Sequence, residues 1–429
     1  MSRFECDLYP ELRVRCLCCD SGCCDRFEID VTPEEVQALE ALHIPGTPPA
    51  EECFTPVPER KEFILNKGTD HHCIFADGKL CKIHKLRGYA AKPLVCRIFP
   101  FHIEHWRDGR VSAELRFICP GVGCADGKRA GDLLGELGIL ARQLGFRRGA
   151  NDCVYSETNP APLETVRKIH RGFRALLHDA GRPFPLRCYA AARILEFHTH
   201  EPESIRSADG SFAEDLTAFV RKAVPELTSE LESGRMDALI RAELRSLICG
   251  YLRDDNLLDR SAGRRLRSLF IHFRVYSGQS PISELNPAAP QYTMRAIPGA
   301  ARSLACSNDA QELFFGWFYG KLDSMHFCGT RCHNYTYEQG MRHLLLSVPV
   351  VMQLAAAYAL AAGDEKIERD KMLRAVRLAD FSFGRSPFFR LRAAKRWIRR
   401  LAEPKRYAAL LGTLPALPSG MQAPSVEKR

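Results

Sequence analysis

Several features that would assign a familiar class are missing from this 429-residue sequence. No apolar stretch of signal-peptide length follows Met1, so export is not expected and a cytoplasmic location is predicted. There is no phosphate-binding loop, no Gly-x-Ser-x-Gly elbow and no His-Glu-x-x-His motif. Hydrophobic residues make up 45% and charged residues 26% of the chain, the balance of an ordinary globular protein. The absences exclude a recognisable nucleophilic or hydrolytic centre.

Long hydrophobic runs are also scarce. Leu344 to Ala362 is uncharged over 19 residues, close to the roughly 20 that a membrane span requires. It contains Ser347, Pro349 and Gln353 and is rich in alanine, which adds little transfer energy. We therefore predict a buried core helix there, and no transmembrane span.

Cysteine, in contrast, is abundant and unevenly placed. Of 18 cysteines, 12 lie in residues 1–124, where even spacing would put about five. In a reducing compartment dense cysteines more often bind metal than form disulfides. The composition predicts a metal site near the N-terminus and names no reaction.

Positive charge is concentrated at the other end. The net charge is +9, and residues 385–407 hold nine basic residues against the single acid Glu403. Such a segment could form an amphipathic helix that binds an anionic membrane, nucleic acid or an acidic partner. The alternative is a terminal helix that packs its apolar side on the core and leaves its arginines in water.

The chain is predicted to be mainly α, with an irregular cysteine-rich N-terminal metal-binding domain that has short strands, followed by an all-α domain. We expect domain boundaries at 1–128 for the cysteine domain, 129–384 for the helical domain, and 385–429 for the basic helix and tail. Apolar residues recur at helical spacing over about 130–146, 163–180, 187–199, 211–223, 227–253, 259–275, 308–323, 337–362, 364–380 and 388–402.

Local signals give finer expectations in the first domain. Thr32, Pro33 and Glu35 have the spacing of a helix start with a capping box, and the helix should run to about His43. Short strands are predicted at Glu62–Leu65, Leu94–Phe99 and Val111–Ile118.

The cysteines themselves form a dense group followed by distant members. Soft thiolates select zinc, iron–sulfur clusters or cuprous ions over hard cations. Cys16 and Cys19 make the only clean Cys-x2-Cys knuckle, whereas the adjacent Cys23 and Cys24 strain a single tetrahedral site. The group suits either an iron–sulfur cluster plus a spare thiol or two neighbouring metal sites. The isolated cysteines are expected to be small buried hydrophobes: Cys53, Cys153, Cys188, Cys249 and Cys306.

These residues resemble a known family. Cys16 to Cys24 followed by Phe27–Val36 resembles the start of the YkgJ-type cysteine-cluster family, a zinc- or iron-chelating domain. Three further segments resemble its later blocks: Cys73-Ile-Phe with Leu80-Cys81-Lys-Ile-His, Lys92-Pro-Leu-Val-Cys96-Arg-Ile-Phe-Pro-Phe101, and Cys119-Pro-Gly-Val-Gly123. The resemblance covers about residues 13–124. The first block is one residue longer than usual, and Cys18 and Cys124 are extra.

The resemblance implies a set of ligands and cofactors. An iron–sulfur cluster is favoured, with zinc as the alternative, and Lys82, Arg97 and Arg116 are candidates to offset the thiolate charge. The candidate metal ligands are Cys16, Cys19, Cys23, Cys24, Cys73, Cys81, Cys96 and Cys119.

A cysteine domain with a long helical extension is also similar, in architecture alone, to flagellin lysine N-methylase. That resemblance implies an enzyme that transfers a methyl group from S-adenosylmethionine to lysines of a protein substrate. The hypotheses are therefore a metal-binding protein with a structural or redox role, a methylase of this type, and an interaction protein that acts through its basic helix.

Two further groups have open interpretations. Cys328-x3-Cys332-His333 begins like the radical S-adenosylmethionine signature, but Tyr335 stands where the third cysteine is needed. The pair could close onto the N-terminal cluster, form a small metal site, or be two ordinary thiols. Histidines among the cysteines could replace a thiolate, although each fits a surface or packing role better: His71, His72, His84, His102 and His105.

Overall fold

The computed structural model describes residues 5–16, 29–60, 62–68, 72–78, 80–145, 149–201, 212–252, 262–295 and 301–415. The chain divides into two compact units, Met1–Ala150 and Asn151–Arg429. Small sheets of short strands lie in the first unit and long helices in the second. The predicted fold class is confirmed.

The strands are short. Their bounds are β1 Cys6–Asp7, β2 Arg13–Val14, β3 Ile29–Val31, β4 Phe54–Val57, β5 Glu62–Leu65, β6 Ala76–Asp77, β7 Leu80–Cys81, β8 Phe101–His105, β9 Val111–Leu115, β10 Lys128–Arg129, β11 Ala305–Cys306 and β12 Lys366–Ile367.

The helices are longest in the second unit. Their bounds are α1 Pro33–Ala41, α2 Ala50–Cys53, α3 Lys82–Arg87, α4 Leu94–Ile98, α5 Leu134–Leu144, α6 Leu163–His178, α7 Phe184–His200, α8 Phe212–Ser233, α9 Ala238–Leu252, α10 Ala262–Ser277, α11 Asn308–Ser324, α12 Tyr337–Ala362, α13 Arg369–Ser382, α14 Arg392–Leu401 and α15 Pro404–Leu411.

In the described residues, the first unit has two three-stranded sheets, two two-stranded sheets and two hydrophobic clusters. β5 pairs antiparallel with both β3 and β4, and β9 pairs parallel with β1 and antiparallel with β8. Cluster 1 consists of buried Ile29, Val31, Val36, Leu39, Ile44, Cys53, Phe54, Leu65, Cys73, Phe75 and Ile83. Cluster 2 consists of buried Leu94, Ile98, Ile103, Ala113, Leu137, Leu140 and Ala141.

The predicted capping box at the start of α1 is present. The Thr32 side chain accepts a hydrogen bond from the Glu35 amide, and the Glu35 carboxylate accepts one from the Thr32 amide. The helix ends at Ala41, close to the expected end. The strand predicted at 62–65 also forms, and the one predicted at 111–118 forms over 111–115.

The strand predicted at Leu94–Phe99 is wrong, because the segment forms helix α4. Short apolar runs fit a strand or a buried helix equally well. As a helix, the run turns Leu94 and Ile98 into cluster 2 and places Val95 and Cys96 against cluster 1. Cluster 2 thus covers Leu94 and Ile98, and cluster 1 covers Val95 and Cys96. A strand would place Cys96 on the same face as Leu94 and Ile98, because side chains of a strand alternate between two faces.

A helix break predicted near Pro225 is also wrong. Helix α8 continues through Pro225 to Ser233, and the break falls at residues 234–237. There the Asp237 side chain accepts a hydrogen bond from the Ile240 amide and begins α9. Packing of α8 against α6, α7 and α15 outweighs the local cost of the proline.

The long apolar run lies in α12. By its length, and by a mean hydropathy of 2.0 over an 18-residue stretch, this helix could cross a membrane. Of that stretch, 89% is buried inside the protein. It contacts α7, α13 and α14. A Thr336–Gln339 capping box begins it, and Gly363 ends it in the left-handed conformation. The helix is therefore buried in the core, as the sequence predicted.

Candidate metal centre

Three of the predicted ligands pack against one hydrophobic cluster in the first unit. Cys73 is a buried member of cluster 1, and half-buried Cys81 and Cys96 pack against the same cluster. They come from three different elements: the turn after the Lys67–Cys73 bridge, the end of β7, and α4. Folding therefore brings side chains up to 23 positions apart in the chain, from 73 to 96, to the same hydrophobic cluster.

Two further predicted ligands lie around a different loop. The Arg15 amide donates to the Gly121 carbonyl at 3.1 Å, and Val14 bridges to Val122. Exposed Cys16 is therefore next in the chain to a residue bonded to the loop that carries half-buried Cys119. The extra Cys124 lies on this loop as well, its Sγ 4.0 Å from the Pro120 carbonyl.

The remaining predicted ligands lie outside the described residues: Cys19, Cys23 and Cys24, together with the extra Cys18. The described ends of their segment are informative, however. Cys16 adjoins the 119–124 loop, and β3 begins at Ile29 and contacts helix α4, which carries Cys96. The described residues that flank this segment therefore lie near the loop of Cys119 on one side and near the helix of Cys96 on the other.

The donor set and the charge around Cys96 fit a thiolate-bound metal. Thiolates are anionic and are stabilised by nearby cationic donors. The buried Nε of Arg97 has no hydrogen-bond partner among the described residues. A buried guanidinium nitrogen without a partner is costly, and a thiolate or sulfide beside Cys96 would supply an acceptor.

The other two cations predicted to offset thiolate charge have different neighbours. Lys82 Nζ donates to the Gly46 carbonyl at 3.2 Å. Buried Arg116 lies 3.7 Å from the carboxylate of Glu114. Of these three cations, Arg97 is thus the one whose buried Nε lacks a hydrogen-bond partner among the described residues.

The histidines occupy other environments. His102 Nε2 lies 3.0 Å from Glu104 Oε1, and its Nδ1 lies 3.5 Å from Glu114 Oε1. His105 Nε2 lies 3.1 Å from the Ala141 carbonyl, and the His84 ring meets Tyr89 edge-on. His71 lies outside the described residues.

Sequence reasoning missed the buried charges around His102. Glu104 and Glu114 project from the same face of the β8–β9 pair as His102, and both carboxylates are buried. Burial by itself lowers the pKa of His102, but hydrogen bonds to Glu104 and Glu114 outweigh it and raise the pKa. The alternation of His102 and Glu104 along one strand was the signal available in the sequence.

The second cysteine motif lies in the second unit, in the loop between α11 and α12. Cys328 and Cys332 are both buried there. Cys328 Sγ lies 3.8 Å from the Sγ of Cys153, a residue that the sequence interpretation treated as an isolated small hydrophobe.

The basic C-terminal segment packs against the second unit. In α14 the buried residues are Ala394, Ile398 and Leu401. Arg400 and Arg406 reach the buried carboxylate of Glu243 at 3.1 and 2.7 Å. Binding of a membrane or nucleic acid by this segment stays a prediction.

Comparisons with known proteins find similarity over part of the chain. Residues 15–120 match the CxxCxxCC family, described as a "Putative zinc- or iron-chelating domain". An 80-residue stretch is 32% identical to an uncharacterized protein of Methanocaldococcus jannaschii, covering 19% of this chain and 28% of that protein. The match thus spans little more than a quarter of the curated relative. No solved structure matches.

The family match confirms the resemblance for this part of the chain. It indicates a zinc- or iron-chelating function, with a metal ion as the partner of the cysteine-rich region. The lysine N-methylase and interaction hypotheses stay predictions.

Proposed function

We propose that the first unit binds an iron–sulfur cluster through cysteine thiolates, in a structural or redox role. The observation that carries the proposal is the packing of Cys73, Cys81 and Cys96 against one hydrophobic cluster. In addition, the buried Nε of Arg97, the residue after Cys96 in the chain, has no hydrogen-bond partner among the described residues. Iron–sulfur clusters are held by four cysteine thiolates, so a fourth ligand would come from the dense cysteine group.

The surroundings support iron–sulfur chemistry over a single zinc ion. The candidate thiols exceed four, and Cys23 and Cys24 are adjacent, which suits a multi-atom cluster better than one tetrahedral ion. Cys81 and Cys96 are half-buried against apolar residues. A hydrophobic shell and donors to sulfur are the means by which proteins adjust the stability and potential of such clusters.

In this proposal the residues of the chain have distinct tasks. The thiolates would hold the iron, which supplies the capacity to accept and release an electron. Arg97 would donate a hydrogen bond to sulfur and offset negative charge. Cluster 1 would exclude water from one side, and Glu35, whose Oε1 accepts the Leu94 amide at 2.8 Å, would position α4.

The test is metal and sulfide analysis of protein purified without oxygen. The full chain is expected to be brown, to hold iron with acid-labile sulfide, and to lose its visible absorbance in air. Cys96→Ser should lose most of the iron, and Cys23→Ser should behave alike. The matched control, Cys249→Ser, changes a buried cysteine of α9 in the second unit and should keep full iron content.

Other results would decide against the proposal. Colourless protein with stoichiometric zinc that Cys96→Ser abolishes would establish the zinc alternative. Equal metal loss from Cys96→Ser and Cys249→Ser would show a general folding defect and remove the assignment of ligands.

A further inference from the structure

The second unit contains a thiol pair that the metal centre does not explain. Cys153 and Cys328 are 175 positions apart, yet their Sγ atoms lie 3.8 Å apart. Their exposed fractions are 7% and 0%. Two thiols in van der Waals contact need to approach by a little under 2 Å to reach the roughly 2.05 Å of a disulfide bond.

Backbone and side-chain hydrogen bonds hold the two cysteine-bearing segments together. On one side of Cys153, Thr330 Oγ1 donates to Asn151 Oδ1 at 3.0 Å. On the other side, the Tyr337 and Glu338 amides each donate at 2.9 Å, to the carbonyls of Val154 and Tyr155. The position of Cys153 relative to the Cys328 loop is therefore fixed from both sides.

Two glycines allow this close approach. Gly329 has a φ of +92°, and a Cβ there would lie 2.3 Å from Asn151 Oδ1. A Cβ on Gly340 would lie 2.1 Å from the Phe327 carbonyl oxygen and 3.0 Å from the Cys328 Cβ. Only glycine permits the loop to lie so close to residue 151 and to helix α12.

The surroundings favour a neutral product over a metal site. Burial raises the pKa of Cys328 well above its usual value, and the adjacent Cys153 raises it further. A disulfide carries no charge and needs no further ligand, so it suits this apolar pocket.

We propose that Cys153 and Cys328 are a modification site that forms a reversible disulfide with a small disulfide oxidant such as oxidised glutathione. The Cys153 thiol loses its proton and attacks one sulfur of the oxidant, which releases one thiol and leaves a mixed disulfide. Cys328 then attacks Cys153 Sγ while its proton passes to the departing sulfur, which leaves as the second thiol. The protein loses two electrons and two protons, and the oxidant becomes two thiols.

The bond would lock the start of the second unit to the loop between α11 and α12. It would close a long loop, which restricts the unfolded chain strongly. Transient disulfides of this kind in reducing compartments are typically regulatory.

The test uses the full-length protein, incubated without oxygen with oxidised glutathione and then digested without reduction. Mass spectrometry should find a peptide that links Cys153 to Cys328, and dithiothreitol should remove it. Thermal unfolding of the oxidised protein should shift upward by about 10 °C. Cys328→Ser should abolish the link and the shift, whereas the matched control Cys332→Ser should keep both.

Two results would overturn the proposal. One is a folded wild-type protein in which, after the incubation, both thiols are still modified by iodoacetamide upon denaturation. The other is a link between Cys328 and Cys332 instead of Cys153. Both readouts use wild-type protein, so they hold even where a serine variant fails to fold, and neither depends on metal in the first unit.

Discussion

At the scale of single residues, the described cysteines fall into distinct classes. Burial raises the pKa values of Cys188 and Cys306 to about 12, so these thiols stay protonated and act as small apolar side chains. Cys81 and Cys96 are half-buried and pack against cluster 1. Grouping along the chain separates candidate ligands from packing residues better than exposure does, because the candidate ligand Cys73 is as buried as Cys306.

Glycine 340 gives a prediction at the same scale. Gly340→Ala should lower the free energy of unfolding by about 2–3 kcal/mol, because its Cβ would meet the Phe327 carbonyl oxygen at 2.1 Å. The matched control is Gly320→Ala in α11, where nothing lies within 4 Å of an added Cβ. That change should raise the free energy of unfolding by about 0.5–1 kcal/mol, since alanine in a helix is more favourable than glycine. Urea unfolding measures both, and equal effects would contradict the prediction.

At the scale of elements, the capping box of α1 has a second task. Glu35 Oε2 accepts the Thr32 amide, and Oε1 accepts the Leu94 amide, the first residue of α4. One carboxylate thus closes the start of one helix and anchors the start of another. The second helix carries Cys96.

This double role predicts different outcomes for two neighbouring substitutions. Thr32→Ala removes only a cap and should cost about 1 kcal/mol of stability with metal content intact. Glu35→Ala also removes the anchor of α4 and should lower the metal content, because groups that orient a ligand affect metal affinity. Urea unfolding and metal analysis of both variants measure this. Full metal retention in Glu35→Ala would show that the anchor does not position Cys96.

At the scale of the whole molecule, the second unit keeps several histidines buried and neutral. Burial lowers the pKa values of His198 and His333 to about 4, and those of His170 and His343 fall as well. For His333, nearby Arg390 and Lys395 add to the effect. The first unit differs, since the pKa of His102 is raised, and its contribution to stability is lost as pH rises through that pKa.

The lowered pKa values predict acid lability of the second unit. An unfolded histidine takes up its proton near pH 6.5, whereas folded His198 and His333 do so only near pH 4. Between these values the unfolded state binds more protons, so stability is full above pH 6.5 and falls as pH drops towards 4. Each such histidine should account for roughly 3 kcal/mol of the loss.

His333→Asn tests the argument. Both ring nitrogens of His333 are buried and lack hydrogen-bond partners among the described residues, and its φ of 56° is one that asparagine tolerates. Between pH 5 and 8, the free energy of unfolding of the variant should depend less steeply on pH than that of the wild type. The difference in slope should correspond to about one proton. Because wild type and variant share the same metal centre, acid release of metal affects both alike. Identical slopes would contradict the prediction.

Features that depend on near neighbours in the chain were predictable. The crowding of cysteines before residue 125, the α1 capping box and the core helix α12 all follow from local spacing and composition. Features that depend on distant segments were not. Whether 94–98 is strand or helix depends on which clusters cover its two sides, and the persistence of α8 through Pro225 depends on its packing partners.

The same division applies to the candidate sites. Spacing and family resemblance selected Cys73, Cys81 and Cys96, but their packing against the same cluster results from three separate elements packing together. The contact between Cys153 and Cys328 joins segments 175 positions apart, and no local pattern marks it. The sequence determines which side chains are present and what chemistry they can perform. The distance between them is determined by long-range packing and hydrogen bonding.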